Sequence, residues 1–103
     1  MKPAIDIPHE RIAEFCRRWE IREFALFGSV VSPDFRAESD VDVMVAFAPA
    51  ARRTLFDLGE MQQELSELFG RHVDLVTRSA IESSRNPYRR NSILRSVEVV
   101  HAA

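Results

Sequence analysis

The sequence predicts an α+β protein in which a small mixed β-sheet is flanked by helices. Two observations lead to this fold class: apolar residues recur at helical spacing in three segments, and three further short segments are apolar or alternating. The predicted order along the chain is helix, strand, strand, helix, strand, helix. A chain of 103 residues has the size of one domain, so we interpret residues 1–103 as a single domain.

The first helix is predicted by an apolar stripe at positions i, i+3, i+4 and i+7, formed by Ile12, Phe15, Cys16 and Trp19. These side chains are interpreted as core. The next segment, residues 23–27, is short, apolar and aromatic and ends at Gly28, which is typical of a buried strand. Residues 30–39 carry a proline and several charges, and they predict a loop.

Residues 40–47 alternate in the manner of a strand. One predicted face carries Val41, Val43, Val45 and Phe47, and the other carries Asp40, Asp42, Met44 and Ala46. Two acids on one face of a valine-rich strand are unusual, because a buried strand does not normally carry them.

The second half of the chain predicts a helix, a strand and a last helix. Thr54, followed three residues later by Asp57, is typical of a helix N-cap, and leucines keep helical spacing up to Gly70, which suits a C-terminal cap. Gly59 weakens this helix by about 1 kcal/mol relative to alanine. Residues 72–76 predict the third strand, again with an acid on one face. After Asn86-Pro87, a last helix is predicted by the apolar stripe of Ile93, Leu94, Val97 and Val100.

Composition excludes several classes of protein. The chain is 46% apolar and 29% charged with a net charge of −2, and it holds no apolar run near the roughly 20 residues of a membrane span. One cysteine cannot form an internal disulfide. We therefore expect a cytoplasmic protein without strong nucleic-acid binding, and Arg85, Arg89 and Arg90 are interpreted as a solvated helix face.

The acids of the second and third strands predict a metal site. Asp40 and Asp42, two residues apart on a strand, project from the same face at roughly 6 to 7 Å. Their charges repel each other unless a divalent cation such as Mg²⁺ binds, and Asp74 occupies the same kind of position on the next strand. Three converging carboxylates can hold two metals about 4 Å apart for in-line phosphoryl displacement.

Gly28-Ser29 lies where the first strand ends, beside these acids. Glycine lets the backbone approach a phosphate closely, and the serine hydroxyl with its neighbouring backbone N–H groups can hold a triphosphate oxygen. Ser39 and Arg36, in the loop that follows, complete the predicted nucleotide-binding set. An ordinary turn and an edge strand with solvated acids are the structural alternatives for each piece taken alone.

The order and spacing of these pieces carry a resemblance. The stretch GSVVSPDFRAESDVDVMV has Gly-Ser, ten residues and Asp-x-Asp, and it resembles the signature of the DNA polymerase beta-like nucleotidyltransferase superfamily. The short chain and its helix–strand order resemble the minimal nucleotidyltransferases, the MNT group. The resemblance extends from about residue 12 to residue 76.

This resemblance implies a nucleotidyltransferase fold that binds ATP and Mg²⁺. It assigns Gly28 and Ser29 to the nucleotide phosphates, Asp40 and Asp42 to the metal, and Asp74 to the third acid, which acts as base or metal ligand. MNT proteins are commonly antitoxins that transfer AMP from ATP onto a tyrosine of a HEPN-type toxin. The implied partner is therefore such a toxin, and the homo- or hetero-oligomeric state stays open.

Ser32-Pro33 stands where many members carry Arg-Gly. This departure favours an alternative, in which the protein neutralises its toxin by complex formation alone. A plain structural domain with solvated acids is the remaining alternative. His72 has no partner ligand close to it in sequence and is not predicted to bind metal, and Tyr88 is interpreted as a surface residue.

Overall fold

The computed structural model describes residues 7–28, 40–95 and 97–102. Its helices are α1 (His9–Trp19), α2 (Leu55–Phe69), α3 (Arg78–Glu82) and α4 (Pro87–Arg95), and its strands are β1 (Ile21–Phe27), β2 (Val41–Phe47), β3 (Val73–Thr77) and β4 (Glu98–Ala102). The strands form one sheet in the order β3-β2-β1-β4. Strand β1 is antiparallel to β2 and β4, whereas β2 and β3 are parallel. The predicted mixed sheet is confirmed.

Helix α1 buries the predicted stripe. Ile12, Phe15 and Cys16 are all buried, and burial raises the pKa of the Cys16 thiol to about 12. The helix ends at Glu20, whose φ of 58° places a non-glycine residue in the left-handed region. Since a left-handed C-terminal residue turns the chain sharply, β1 begins at once and lies beside the helix that precedes it.

Helix α2 has both predicted ends. The Thr54 hydroxyl accepts a hydrogen bond from the backbone N–H of Asp57 at 3.2 Å, and the Asp57 carboxylate accepts one from the backbone N–H of Thr54 at 3.0 Å. This reciprocal pair satisfies two N–H groups that the first helical turn leaves without partners. At the other end Gly70 adopts a φ of 70°. The caps therefore define a helix that packs against β3.

Gly59, inside α2, offers a test of helix propensity. Gly59→Ala is expected to stabilise the protein by about 0.5–1 kcal/mol, because alanine loses less backbone entropy and nothing lies within 4 Å of the added Cβ. Thermal unfolding measures the change as a rise of a few degrees. An unchanged or lower melting temperature would contradict this expectation.

The sheet has helices on both faces, but its two faces differ in depth of burial. Helices α1 and α2 cover the first face, where the core comprises Ile12, Phe15, Cys16, Ile21, Phe24, Leu26, Val41, Val43, Val45, Met61, Leu65 and Val73. The second face has a smaller cluster of Ala25, Phe27, Met44 and Ile81, with Val76, Ile93 and Val97 packed against it. Because side chains alternate along β2, the predicted valine face is the first face, and Asp42 and Met44 belong to the second.

The predicted last helix is wrong in its second half. Helix α4 ends at Arg95, and residues 98–102 form β4, which pairs with β1 through register partners such as Glu98 with Leu26. Valine is β-branched and favours strands, and β1 offers an open edge whose backbone groups need partners. Those two effects outweigh the helical spacing of Val97 and Val100. The side chain of Leu94 lies outside the described part of the structure.

Helix α3 was also not predicted. It is one turn and a half long, and its first turn is capped by Thr77, whose hydroxyl accepts a hydrogen bond from the backbone N–H of Ala80 at 3.2 Å. Ile81 is the buried residue of this helix and packs on the second face of the sheet. Among the described helices, none has the length and apolar character needed to cross a bilayer.

Candidate functional site

The acids meet at one end of the sheet. Asp42 is the second residue of β2 and Asp74 the second residue of β3, and the two are register partners in the parallel pair. Neighbouring strands lie about 4.8 Å apart, and partner residues project from the same face. Asp42 is also the partner of Phe27, the last residue of β1. Strand pairing therefore places Asp42 between Asp74 and the end of β1.

Three side chains form a potential metal-binding group beside Asp42. Asp40, His72 and Asp74 each offer one ligand atom, and these atoms all lie within 4.8 Å of one another on exposed residues. Nε2 of His72 lies 3.0 Å from Oδ1 of Asp74. The carbonyl of His72 accepts a hydrogen bond from the backbone N–H of Val41 at 3.0 Å, so the strand ladder itself holds His72 next to Asp40.

His72, for which the sequence predicted no metal-binding role, therefore lies beside two carboxylates that could bind a metal ion. In the sequence Asp40 is distant, and only the parallel pairing of β2 with β3 brings it close. Asp74, two residues from His72, was the one available signal, because alternate residues of a strand share a face. His72 is thus a candidate site residue that the sequence did not predict.

Asp42 lies deeper than the other two acids. It is half-buried, and burial, followed by the charges of Asp74 and Asp40, raises the pKa of its carboxyl. Both causes disfavour the carboxylate form, since desolvation and like charges each cost free energy when the group ionises. The site therefore stores unfavourable electrostatic energy that a bound cation would relieve.

That energy predicts a stabilising substitution. Between the ordinary aspartate pKa and its raised value in the fold, the folded protein binds more protons than the unfolded chain, so stability falls as pH rises through this window. Asp42→Asn removes the charge and is expected to stabilise the metal-free protein at neutral pH by about 1 kcal/mol, or ~4–8 °C.

The measurement is thermal unfolding in a chelator across pH. The gain should vanish below the ordinary aspartate range, where Asp42 is protonated in both states. Glu60→Gln, which removes an exposed acid on α2, is the matched control and should leave stability nearly unchanged. A gain of equal size at acidic and neutral pH would show that the charge of Asp42 is not its cause.

Gly28 lies close to the carboxylate of Asp42. Its φ is 73°, and a Cβ added to it would collide with Oδ2 of Asp42. A left-handed φ favours glycine, and the missing side chain leaves room for the carboxylate. The predicted association of Gly28 with the Asp-x-Asp acids thus has a steric basis. Ser29, Arg36, Ser39 and the Ser32-Pro33 departure lie outside the described residues.

The donor set fits a divalent cation. Carboxylate oxygens are the ligands that Mg²⁺ prefers, and it usually takes one or two of them together with substrate phosphates. The imidazole of His72 suits Zn²⁺ and other transition metals better than Mg²⁺, so the carboxylates are the expected ligands of Mg²⁺. Asp40 and Asp42, with Asp74 adjoining, would hold the ion, and a bound cation would balance the charges that raise the pKa of Asp42.

Comparison with known proteins agrees with this geometry. The family model of the nucleotidyltransferase domain matches residues 10–100. A similar relative is the protein adenylyltransferase MntA of Thermococcus cleftensis, which is 36% identical over 70 residues, covering 68% of this chain and 69% of the relative.

Two solved structures are similar in fold. A toxin–antitoxin complex with AMP-PNP superposes with a TM-score of 0.71 at 19% identity, covering 94% of this chain and 75% of the other. A complex of tri-AMPylated Shewanella oneidensis HEPN toxin with MNT antitoxin superposes with a TM-score of 0.63 at 18% identity, covering 92% and 70%. Because the family model matches residues 10–100, most of this chain, the chain belongs to the nucleotidyltransferase domain family.

Proposed function

We propose that this protein is a Mg²⁺-dependent protein adenylyltransferase that transfers AMP from ATP to a hydroxyl of a HEPN-type toxin and thereby acts as its antitoxin. The observation that carries the proposal is the meeting of Asp40, Asp42 and Asp74 at one end of the sheet in a chain of this family. The relatives support the partner and the nucleotide, because one is a protein adenylyltransferase and two are toxin–antitoxin complexes.

In the proposed reaction the acceptor hydroxyl attacks the α-phosphorus of ATP. The new oxygen–phosphorus bond forms as the bond to the bridging oxygen breaks, and pyrophosphate leaves with the electron pair. Bound Mg²⁺ would supply positive charge to the phosphate oxygens and make the acceptor hydroxyl more acidic.

The residues of the chain position these groups. His72 engages Oδ1 of Asp74 at 3.0 Å and so orients the carboxylate. We assign Oδ2 of Asp74 to receive the proton of the attacking hydroxyl. Asp40 and Asp42, at the start of β2, would bind the cation. Gly28 has no side chain and therefore leaves room for the carboxylate of Asp42. A tyrosine of the toxin is the acceptor that we expect.

The test is incubation of the purified protein with a HEPN-type toxin, Mg²⁺ and ATP labelled at the α-phosphate. We expect label on the toxin, one AMP mass added per modified tyrosine, and loss of the toxin's activity. A chelator should prevent labelling. If the two proteins form a stable complex but the toxin never acquires label, the proposed AMP transfer is wrong. Neutralisation by complex formation alone would then be the remaining explanation.

A further inference from the structure

A cavity lies on the second face of the sheet, next to the acids. Its volume is about 160 Å³, and its walls combine apolar side chains of two strands and two helices with two polar groups. The apolar walls are Phe27, Val76, Ile81 and Ile93, and the polar ones are Ser84 and Arg90. Arg90 is half-buried against this cavity, which differs from its interpretation as part of a solvated helix face.

The cavity continues the site along the sheet. Phe27 is the register partner of Asp42, and Val76 lies two residues after Asp74 on β3. Alternate residues of a strand share a face and are separated by roughly 6 to 7 Å. The cavity therefore begins beside the acids on the same face of the sheet, about as far from them as a ribose separates a phosphate from a base.

The volume of the cavity suits one flat ring system. A cavity of about 150 Å³ holds one benzene ring, whereas pockets for whole drug-sized ligands measure roughly 300–1,000 Å³. The volume here accommodates a ring system entering edgewise or face-on, but not a whole nucleotide.

We propose that this cavity receives the purine base of the nucleoside triphosphate whose phosphates lie at the acids. The inference rests on the proposed function and adds to it the subsite that selects the nucleotide. In this arrangement the ribose spans the gap between the α-phosphate at Asp40, Asp42 and Asp74 and the base against Phe27 and Val76.

The polar walls favour a base over the acceptor tyrosine. A purine presents ring nitrogens and an exocyclic amine, which match the donors of Arg90 and the hydroxyl of Ser84. The guanidinium plane of arginine also stacks on such rings. A tyrosine has one hydroxyl, and that oxygen must lie at the α-phosphorus to react, so its ring within the cavity would offer Arg90 no hydrogen-bond acceptor.

The test measures the affinity of the base separately from that of the phosphates. Calorimetry compares ATP with ribose 5′-triphosphate, which lacks a base, on the wild-type protein in Mg²⁺. We expect ATP to bind about tenfold tighter, since stacking of one base on an aromatic ring is worth a factor of roughly five to a hundred. Equal affinities for the two compounds would overturn the inference without any variant.

A cavity-filling variant locates the effect. Ala80 is exposed and lines the rim of the cavity. Ala80→Phe is expected to weaken ATP binding about tenfold and to leave binding of ribose triphosphate unchanged. Ser83→Phe adds the same ring at an exposed neighbour that does not line the cavity, and it should behave as wild type. Thermal unfolding verifies that both variants fold.

The other outcomes are decisive as well. If Ala80→Phe binds ATP normally but no longer modifies the toxin, the cavity takes the acceptor ring and the inference fails. If Ala80→Phe and Ser83→Phe bind ATP equally while AMP transfer persists, the inference fails and the proposed function stands. If the wild-type protein binds no ATP, both fail together.

Discussion

Replacement of both Asp40 and Asp42 by asparagine is expected to lower the rate of AMP transfer to the toxin by about a thousandfold or more. The change keeps the shape of both side chains and removes two negative charges from the proposed cation site. Loss of a single group that stabilises charge in the transition state commonly costs about 10²–10³ in rate. Loss of two ligands of one metal site should cost at least as much, and labelled ATP measures it.

The same variant separates the two modes of neutralisation. Because Asp40 and Asp42 lie at the end of the sheet and are not part of the core, the fold should survive and the complex with the toxin should still form. If the toxin stays silent with this unreactive variant, occlusion suffices, as the Ser32-Pro33 departure favours. If protection is lost while the complex persists, catalysis neutralises the toxin. Glu60→Gln is the matched control for charge.

Gly28→Ala is expected to reduce AMP transfer by about a hundredfold, with only a moderate loss of stability. The new Cβ would collide with Oδ2 of Asp42 and displace that carboxylate, and a misplacement of about 1 Å can cost 10²-fold in rate. A left-handed φ of 73° adds roughly 1–2 kcal/mol of strain for alanine. Transfer assays at 25 °C and thermal unfolding measure the two effects separately.

Gly70→Ala is the matched control for backbone strain. Gly70 has a φ of 70°, close to that of Gly28, but nothing lies within 4 Å of its added Cβ. It should lose a similar 1–2 kcal/mol of stability and retain full transfer activity. Equal activity of the two variants would show that contact with Asp42 is not the reason for glycine at position 28.

Much of the fold follows from local patterns in the sequence. The stripe of α1, the reciprocal cap of Thr54 with Asp57 and the alternation of β2 each depend on residues a few positions apart, and each is confirmed. Such signals are readable because side-chain direction repeats every 3.6 residues in a helix and every two in a strand. The short helix α3 was not predicted because five residues are too few to show a helical periodicity.

The candidate site divides in the same way. The carboxylates of Asp40, Asp42 and Asp74 and the glycine before them are recognisable from residue type and spacing, so the sequence by itself determined which acidic groups the candidate site contains. Tertiary structure decided the rest: His72 joined Asp40 only through the pairing of β2 with β3, and residues 98–102 became a strand because β1 had an open edge. The physical reason is that these contacts join parts of the chain far apart in sequence, whose free energy depends on partners that no local pattern contains.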